Sequence, residues 1–295
     1  MKRCSKKATA NFLQHGFQIA LVVLFGMLCF SPQSVIGQKP LRITKEAFGH
    51  GESLQYTVSY HWGFIWIDAG TVDFRAHKGP TDSKSFWHFK STGASLRRYD
   101  WLFRVRDTFE VFTTANPFKP SQFRRNTFEG SKHTFNLYRF DHAKQQVYLI
   151  TMENKKQQFF DTLRLETSIT DVLTATYLTR SLDFSQLSIA DTLVIPILMD
   201  RKITKMPIVF LGIEERTIPS GKRFSCLKFS ASPAEGTIFL ANEPILVWVT
   251  DDDNRVPVLI EAKILVGSIQ VHLTGYEKLA HPLKAFLRND GAKLP

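Results

Sequence analysis

From residue 53 to residue 275 apolar and polar side chains repeatedly alternate at a spacing of two, which favours strands over helices. Leu54, Tyr56, Val58 and Tyr60 alternate with Ser53, Gln55, Thr57 and Ser59, Gly63 breaks the run, and Phe64–Phe74 reads as the returning strand with a bulge at Gly70. The clearest pattern is Trp101–Val111, where every odd position is apolar except Asp107. Further strands are expected at Ser85–Ser91, Ser121–Thr127, Thr134–Phe140 and Gln146–Met152, with Asp141-His142-Ala143-Lys144 as the turn before the last. The second half repeats the signal at Leu193–Met199, Lys205–Arg216, Arg223–Ala231, Thr237–Leu240, Ile245–Thr250, Pro257–Val266 and Ser268–Gly275. Pro219–Lys222 and Asp251–Arg255 read as turns.

One segment departs from this period. In Ser168–Ser181 the apolar residues Ile169, Val172, Leu173 and Tyr177 fall at helical spacing, and Ser168 with Asp171 resembles a capping box. The expectation is a helix of three to four turns covering an open end or concave face. No other helix is available to supply the crossovers of a parallel sheet. The fold class is therefore mainly β: antiparallel meanders forming a sandwich or half-barrel, with one short helix at about 168–181 packed against it. No linker, repeat or low-complexity tract divides residues 38–295, which read as a single domain.

The N-terminus speaks to location. Lys2, Arg3, Lys6 and Lys7 precede a 12-residue apolar run, Ile19–Phe30, and Val35 and Gly37 stand where a signal peptidase reads. Residues 1–37 thus read as a secretory signal peptide. The alternative is an uncleaved anchor, although twelve residues rise only ~18 Å against a ~30 Å hydrocarbon core. Cys29 follows Leu28 rather than a small residue, which argues against lipidation there. Only Cys226 remains beyond the leader, so no internal disulfide is available, and its alternating context reads as a small buried hydrophobe. The formal charge is +11, and the four leader cations account for part of it. The remaining basic residues are dispersed, as in Arg97-Arg98 and Arg124-Arg125. On an exported chain they suit an anionic membrane surface better than nucleic acid, and a solvated face with no partner also accounts for them.

Few residues carry a chemical signal. Asp107 interrupts an apolar face, and a carboxylate there must be paired or hydrogen-bonded. It reads either as a strand lock with an arginine (Arg180, Arg104 or Arg106) or as a polar anchor in a ligand cavity. Asp251-Asp252-Asp253-Asn254 lacks the glycine and glutamate of a calcium loop and reads as a turn. The histidines show no HExxH-type ligand spacing, and no G-x-S-x-G elbow, CxxC pair or phosphate loop is present, so no catalytic residue, metal or cofactor is assigned. The 25 phenylalanines, many in expected strands, suit either a plain core or a cavity for an acyl chain. The candidate ligand-binding residues are Trp101, Phe103, Phe109, Asp107 and Arg180.

Several stretches, taken in order, resemble the bacterial exported family known as domain of unknown function 3108. They are Gly51–Tyr56, Phe103–Asp107, Thr170–Arg180, Val247–Asp252 and Arg255–Val258, within a region of about 47–278. The resemblance implies a periplasmic or secreted β protein and brings no catalytic residues with it.

Three functions follow as expectations. The leading one is a non-enzymatic envelope protein, in the periplasm or at the outer-membrane periphery, that binds a lipid or lipid-linked glycan in a β-sheet cavity. The others are a scaffold contacting envelope proteins and a hydrolase of envelope polymers, which would need a concave cluster of carboxylates or a Ser/His pair, with two acidic side chains in an open cleft as its signature.

Overall fold

A computed structural model describes residues 46–79, 86–154, 157–165, 169–231, 243–264 and 267–287. The leader, Ser168 and the Thr237–Leu240 strand expectation lie outside the described residues.

The chain builds two antiparallel meanders that join into one sheet. The first comprises β1 (Glu52–Trp62), β2 (Ile65–Lys78), β3 (Phe86–Ser95), β4 (Val105–Thr114), β5 (Lys119–Glu129), β6 (Lys132–Asp141), β7 (Gln146–Glu153) and β8 (Gln157–Arg164). One α-helix among the described residues, α1 (Val172–Arg180), follows. The second comprises β9 (Thr192–Met199), β10 (Lys202–Thr217), β11 (Arg223–Ala231), β12 (Ile245–Thr250), β13 (Pro257–Lys263) and β14 (Ser268–Glu277). A two-residue strand, β15 (Phe286–Leu287), pairs with β11. Across the sheet the order is β8-β7-β6-β5-β4-β3-β2-β1-β14-β13-β12-β11-β10-β9. The seam is the pairing of β1 with β14, which runs from Ser53–Glu277 to His61–Ser268. Apart from the β1–β14 and β11–β15 pairings, every pair of adjacent strands is also consecutive in sequence.

The sheet is open but curls. The β9–β10 turn, with Asp200 and Arg201 both at positive φ (45° and 65°) in a tight hairpin, reaches back onto the first meander. There Arg125 Nη1 meets Asp200 Oδ1 at 2.9 Å and Arg201 Nη2 meets Asp161 Oδ2 at 3.8 Å. The half-barrel expectation is thus met by one curled sheet, with the core on its concave side.

α1 lies inside this curl, packed against β3 and β4 of the first meander and β9 of the second. It is shorter than expected, and its cap differs: Asp171 Oδ1 itself accepts hydrogen bonds from the N–H groups of Leu173 and Thr174, both 2.9 Å. The helical period therefore begins one turn later than the sequence suggested. Just before it, Thr170 forms a parallel bridge with Ile197, so the outer side of β9 is partly covered. Tyr177 stacks on Phe89 with ring centroids 3.8 Å apart, and Phe48 meets Trp87, Phe89 and Tyr177 edge-on at 4.9–5.1 Å. These rings fill the first meander's concave face.

The end of α1 is held by a buried ion pair. Arg180 Nη1 and Nη2 donate to Glu52 Oε1 and Oε2 at 2.6 and 2.9 Å. The same guanidinium donates to the carbonyls of Ala47 and Asn254 at 3.0–3.1 Å. Asn254 in turn donates from Nδ2 to the carbonyl of His281 and accepts from its N–H, which draws in the C-terminal segment. The aspartate run is structural, as expected: Asp252 Oδ1 accepts from the Thr250 hydroxyl and the Asn254 N–H.

Two strand expectations need correction. The Trp101–Val111 strand begins only at Val105, because Leu102 and Phe103 donate their N–H groups to the Tyr99 carbonyl in a turn. The β2 bulge falls at Ala69, beside Gly70, where Val58 faces Gly70 and Ser59 already faces Asp68.

The ion pair generates a stability prediction. Arg180→Met, which strands Glu52 in the core, should lower unfolding free energy by ~3–5 kcal/mol in urea titrations. Combining it with Glu52→Leu should recover most of that loss, and a double variant no better than the single would contradict this account.

Candidate functional site

An apolar cavity of about 190 Å³ lies between α1 and the second meander. Its floor alternates inward from adjacent strands: Leu193 and Ile197 of β9, Met206 and Ile208 of β10, Phe229 and Ala231 of β11, Ile245, Val247 and Val249 of β12, and Ile260 of β13. α1 supplies the roof through Val172, Ala175, Thr176 and Thr179, and Leu54, Tyr56 and Phe74 close the side toward the seam. Few polar groups interrupt this lining.

The charged ones are Arg180 and Arg255. Arg180 is fully engaged with Glu52. Arg255, half-buried, lies over the Phe184 ring at 5.0 Å and donates from Nη1 to the Arg180 carbonyl at 3.3 Å. Burial holds its pKa below the usual guanidinium value, opposed by the carboxylates of Asp253, Asp183, Asp252 and Asp251. Arg255 is at φ +44°, so its side chain is set by a left-handed backbone position.

The residues singled out from sequence are not brought together. Trp101 is 82% exposed in the turn before β4. Phe103 packs in a small separate cluster with Ala69 and Val105. Phe109 belongs to the main core, under the Arg125 guanidinium at 5.7 Å. Asp107 is buried on β4, and none of the three arginines expected as its partner forms an ion pair with it: Arg180 holds Glu52 and Arg106 holds Asp100. Of the five, only Arg180 lines the cavity. The sequence reading missed Met206 of β10, and it missed Ile197, Ile245 and Val247, whose signal was the near-continuous apolar runs TLVIPILM and ILVWVT. Such runs mark strands buried on both faces.

Asp107 instead heads a polar stripe on the concave face of the first meander. By strand register, Asp107 faces Thr127, and Thr127 faces Thr134. The adjacent row places Phe109 opposite Arg125, Arg125 opposite Asn136, and Asn136 opposite Thr151. Asp107 Oδ1 accepts the Phe128 N–H at 3.0 Å. Its Oδ2, Asn136 Oδ1 and the Thr151 hydroxyl are buried with no hydrogen-bond partner among the described residues. Burial pushes the Asp107 carboxyl up to about 8, reinforced by Glu129 and partly offset by Arg125 and the Phe128 N–H. Cys226 is buried as expected, and burial pushes its thiol up to about 12, which leaves it unreactive at neutral pH. Among the described residues no group of three His, Cys, Asp or Glu side chains is placed to hold a metal ion.

The sequence profile of the family described as "Protein of unknown function (DUF3108)" matches residues 55–274. No match was found among curated proteins. Among solved structures, a β-barrel-like protein of domain of unknown function DUF1849 from Brucella abortus is similar over 79% of this chain and 99% of its own, at 8% identity and a TM-score of 0.49. A protein described as a "putative lipoprotein", from Parabacteroides distasonis ATCC 8503, is matched over 81% of this chain and 100% of its own, at 9% identity and a TM-score of 0.24.

Asp107 makes stability depend on pH with a defined sign. Its folded pKa lies above the unfolded value near 3.8, so its contribution is intact below about pH 4 and is lost as pH rises through about 8. Asp107→Asn keeps the acceptor for Phe128 and removes the titration. Relative to this variant, the parent protein should lose about 2 kcal/mol or more of unfolding free energy between about pH 5 and pH 8, measured by urea titration at each pH. Parallel pH profiles would show that Asp107 is not held neutral.

Proposed function

We propose that this chain, which belongs to the DUF3108 family, is a non-enzymatic binding protein of the bacterial envelope that holds part of an apolar chain, from a lipid or lipid-linked glycan, between α1 and the second meander. The observation that carries this reading is the cavity of about 190 Å³ with its almost wholly apolar lining. An apolar cavity of ~150 Å³ stays dry and takes up benzene, whereas sites for whole drug-sized ligands run to several hundred Å³. The size therefore favours a segment of acyl or isoprenoid chain over an entire bilayer lipid. Burying about six carbons at ~0.8 kcal/mol each gives ~5 kcal/mol, a sub-millimolar affinity before any headgroup contact.

The first meander's aromatic side chains, Trp87 and Phe89 among them, are interlocked with Phe48 and Tyr177 and leave the hollow to the aliphatic second meander. An envelope location rests on the leader pattern of residues 1–37. The scaffold reading keeps one observation of its own: β8 is an edge strand, and its Phe160 is 71% exposed. Reproducible crosslinks to envelope proteins through β8, with no lipid bound, would favour it over a carrier.

The cavity yields a direct binding prediction. Val247→Phe should fill the space and weaken binding of a fluorescent fatty acid by about tenfold or more, with the fold retained by circular dichroism. Native mass spectrometry of protein purified from its own envelope should show an added lipid-sized mass that this variant lacks. Equal affinity in both proteins would remove the cavity as the binding site.

A further inference from the structure

One end of the sheet carries an unusual surface. β1 and β2 are joined by the two-residue turn Gly63-Phe64, with Gly63 at φ +58° and Trp62 facing Ile65 across the hairpin. Phe64 at the apex is 98% exposed, and Trp62 and Trp66 beside it are 51% and 47% exposed. Trp66 leans on His61 with ring centroids 5.1 Å apart, so large rings occupy the hairpin's last two residue pairs as well as its apex. β3 runs antiparallel to β2 and delivers the next turn to the same end, where the Leu96 N–H donates to the Ala69 carbonyl and Arg98 Nη2 to the Asp68 carbonyl at 3.2 Å. That turn adds Trp101, 82% exposed, and the exposed Arg97, Arg98 and Arg104. The nearby carboxylates are already engaged: Asp100 is paired with Arg106, and Asp68 accepts from the Ser59 hydroxyl.

Three of the chain's five tryptophans therefore stand exposed at one end, while Trp87 and Trp248 are buried. Chance scatter of surface apolar residues does not concentrate them in this way. Tryptophan has a large apolar ring and one N–H donor, which suits the boundary between headgroups and acyl chains. A convex hairpin tip with rings at its apex has the shape of an inserting element, whereas protein-binding hot spots sit in flatter, packed patches. Three guanidiniums flanking the rings complement lipid phosphates.

We infer that this end is a membrane-docking surface: the Trp62–Trp66 tip and Trp101 enter the headgroup–acyl boundary of an anionic bilayer, and Arg97, Arg98 and Arg104 engage its phosphates. The surface shares no residue with the cavity, so the two readings stand or fall separately. Among the described residues no helix is long and apolar enough to cross a membrane, and the tip supplies a peripheral mode of contact.

The test uses the full chain and vesicles of phosphatidylcholine alone or equimolar with phosphatidylglycerol. Residues 1–45 contain no tryptophan, so quenching by brominated phosphatidylcholine reads the tip and not the N-terminal segment. Anionic brominated vesicles should quench the parent protein's fluorescence, and a Trp62→Phe, Trp66→Phe, Trp101→Phe variant should lose that quenching because its remaining tryptophans are buried. Phe64→Ser with Trp101→Ser should weaken tip insertion, read as quenching against lipid concentration, by about tenfold or more. Arg97→Glu with Arg98→Glu should weaken it by about fivefold or more per arginine on anionic vesicles and little on neutral ones. Unchanged thermal unfolding in these surface variants keeps the comparison clean. Absence of quenching in the parent protein, or equal insertion by the Phe64 and Trp101 variant, overturns the inference. A cavity-filling Val247→Phe variant should still dock.

Discussion

The buried pair between Arg180 and Glu52 is the constraint on which this architecture turns. Burying a guanidinium and a carboxylate is costly, and only complete pairing makes it tolerable. Here the two carboxylate oxygens and the carbonyls of Ala47 and Asn254 share the guanidinium donors. The consequence is geometric. The same side chain fixes the end of the helix to the first strand, to the β12–β13 turn and, through Asn254, to the C-terminal segment. The helix lies between two sheet regions that are distant in sequence, and this contact sets how far it stands from the second meander.

That separation explains why one half of the concave face is filled and the other is not. Phe48, Trp87, Phe89 and Tyr177 interlock on the first meander, where large rings reach the helix. The opposing strands β9 to β13 present mainly leucine, isoleucine and valine, whose shorter side chains leave a gap beneath Ala175 and Thr179. A helix held by an ion pair at one end and ring stacking on one face is not free to collapse into the gap. Cavity size and shape thus follow from the mismatch between aromatic and aliphatic strands.

The architecture was legible in the sequence because period-2 alternation survives wherever one face meets solvent. Leu54–Tyr60 and Thr134–Phe140 show it plainly, and the lone helical period at Val172–Tyr177 stands out against it. The strand ends were less legible. Trp101 matched the alternation by coincidence, since turn hydrogen bonds to the Tyr99 carbonyl override the pattern until Val105. The cavity was nearly invisible, because β9 and β12 are apolar on both faces and carry no period to say which side chains point inward. Asp107 was correctly seen as an anomaly on a core face. Its true neighbours, Arg125 and Glu129, follow from strand register, which local sequence does not encode.

The central claim is that the space beneath the helix is an apolar compartment that accepts hydrocarbon. Diffraction from crystals pressurised with xenon tests it most directly, since xenon partitions into dry apolar cavities and not into hydrated ones. A xenon peak bounded by Val172, Ile197 and Ile245 is the predicted result. Ordered water hydrogen-bonded within that space, or side chains closed over it with no room for the atom, would contradict the account.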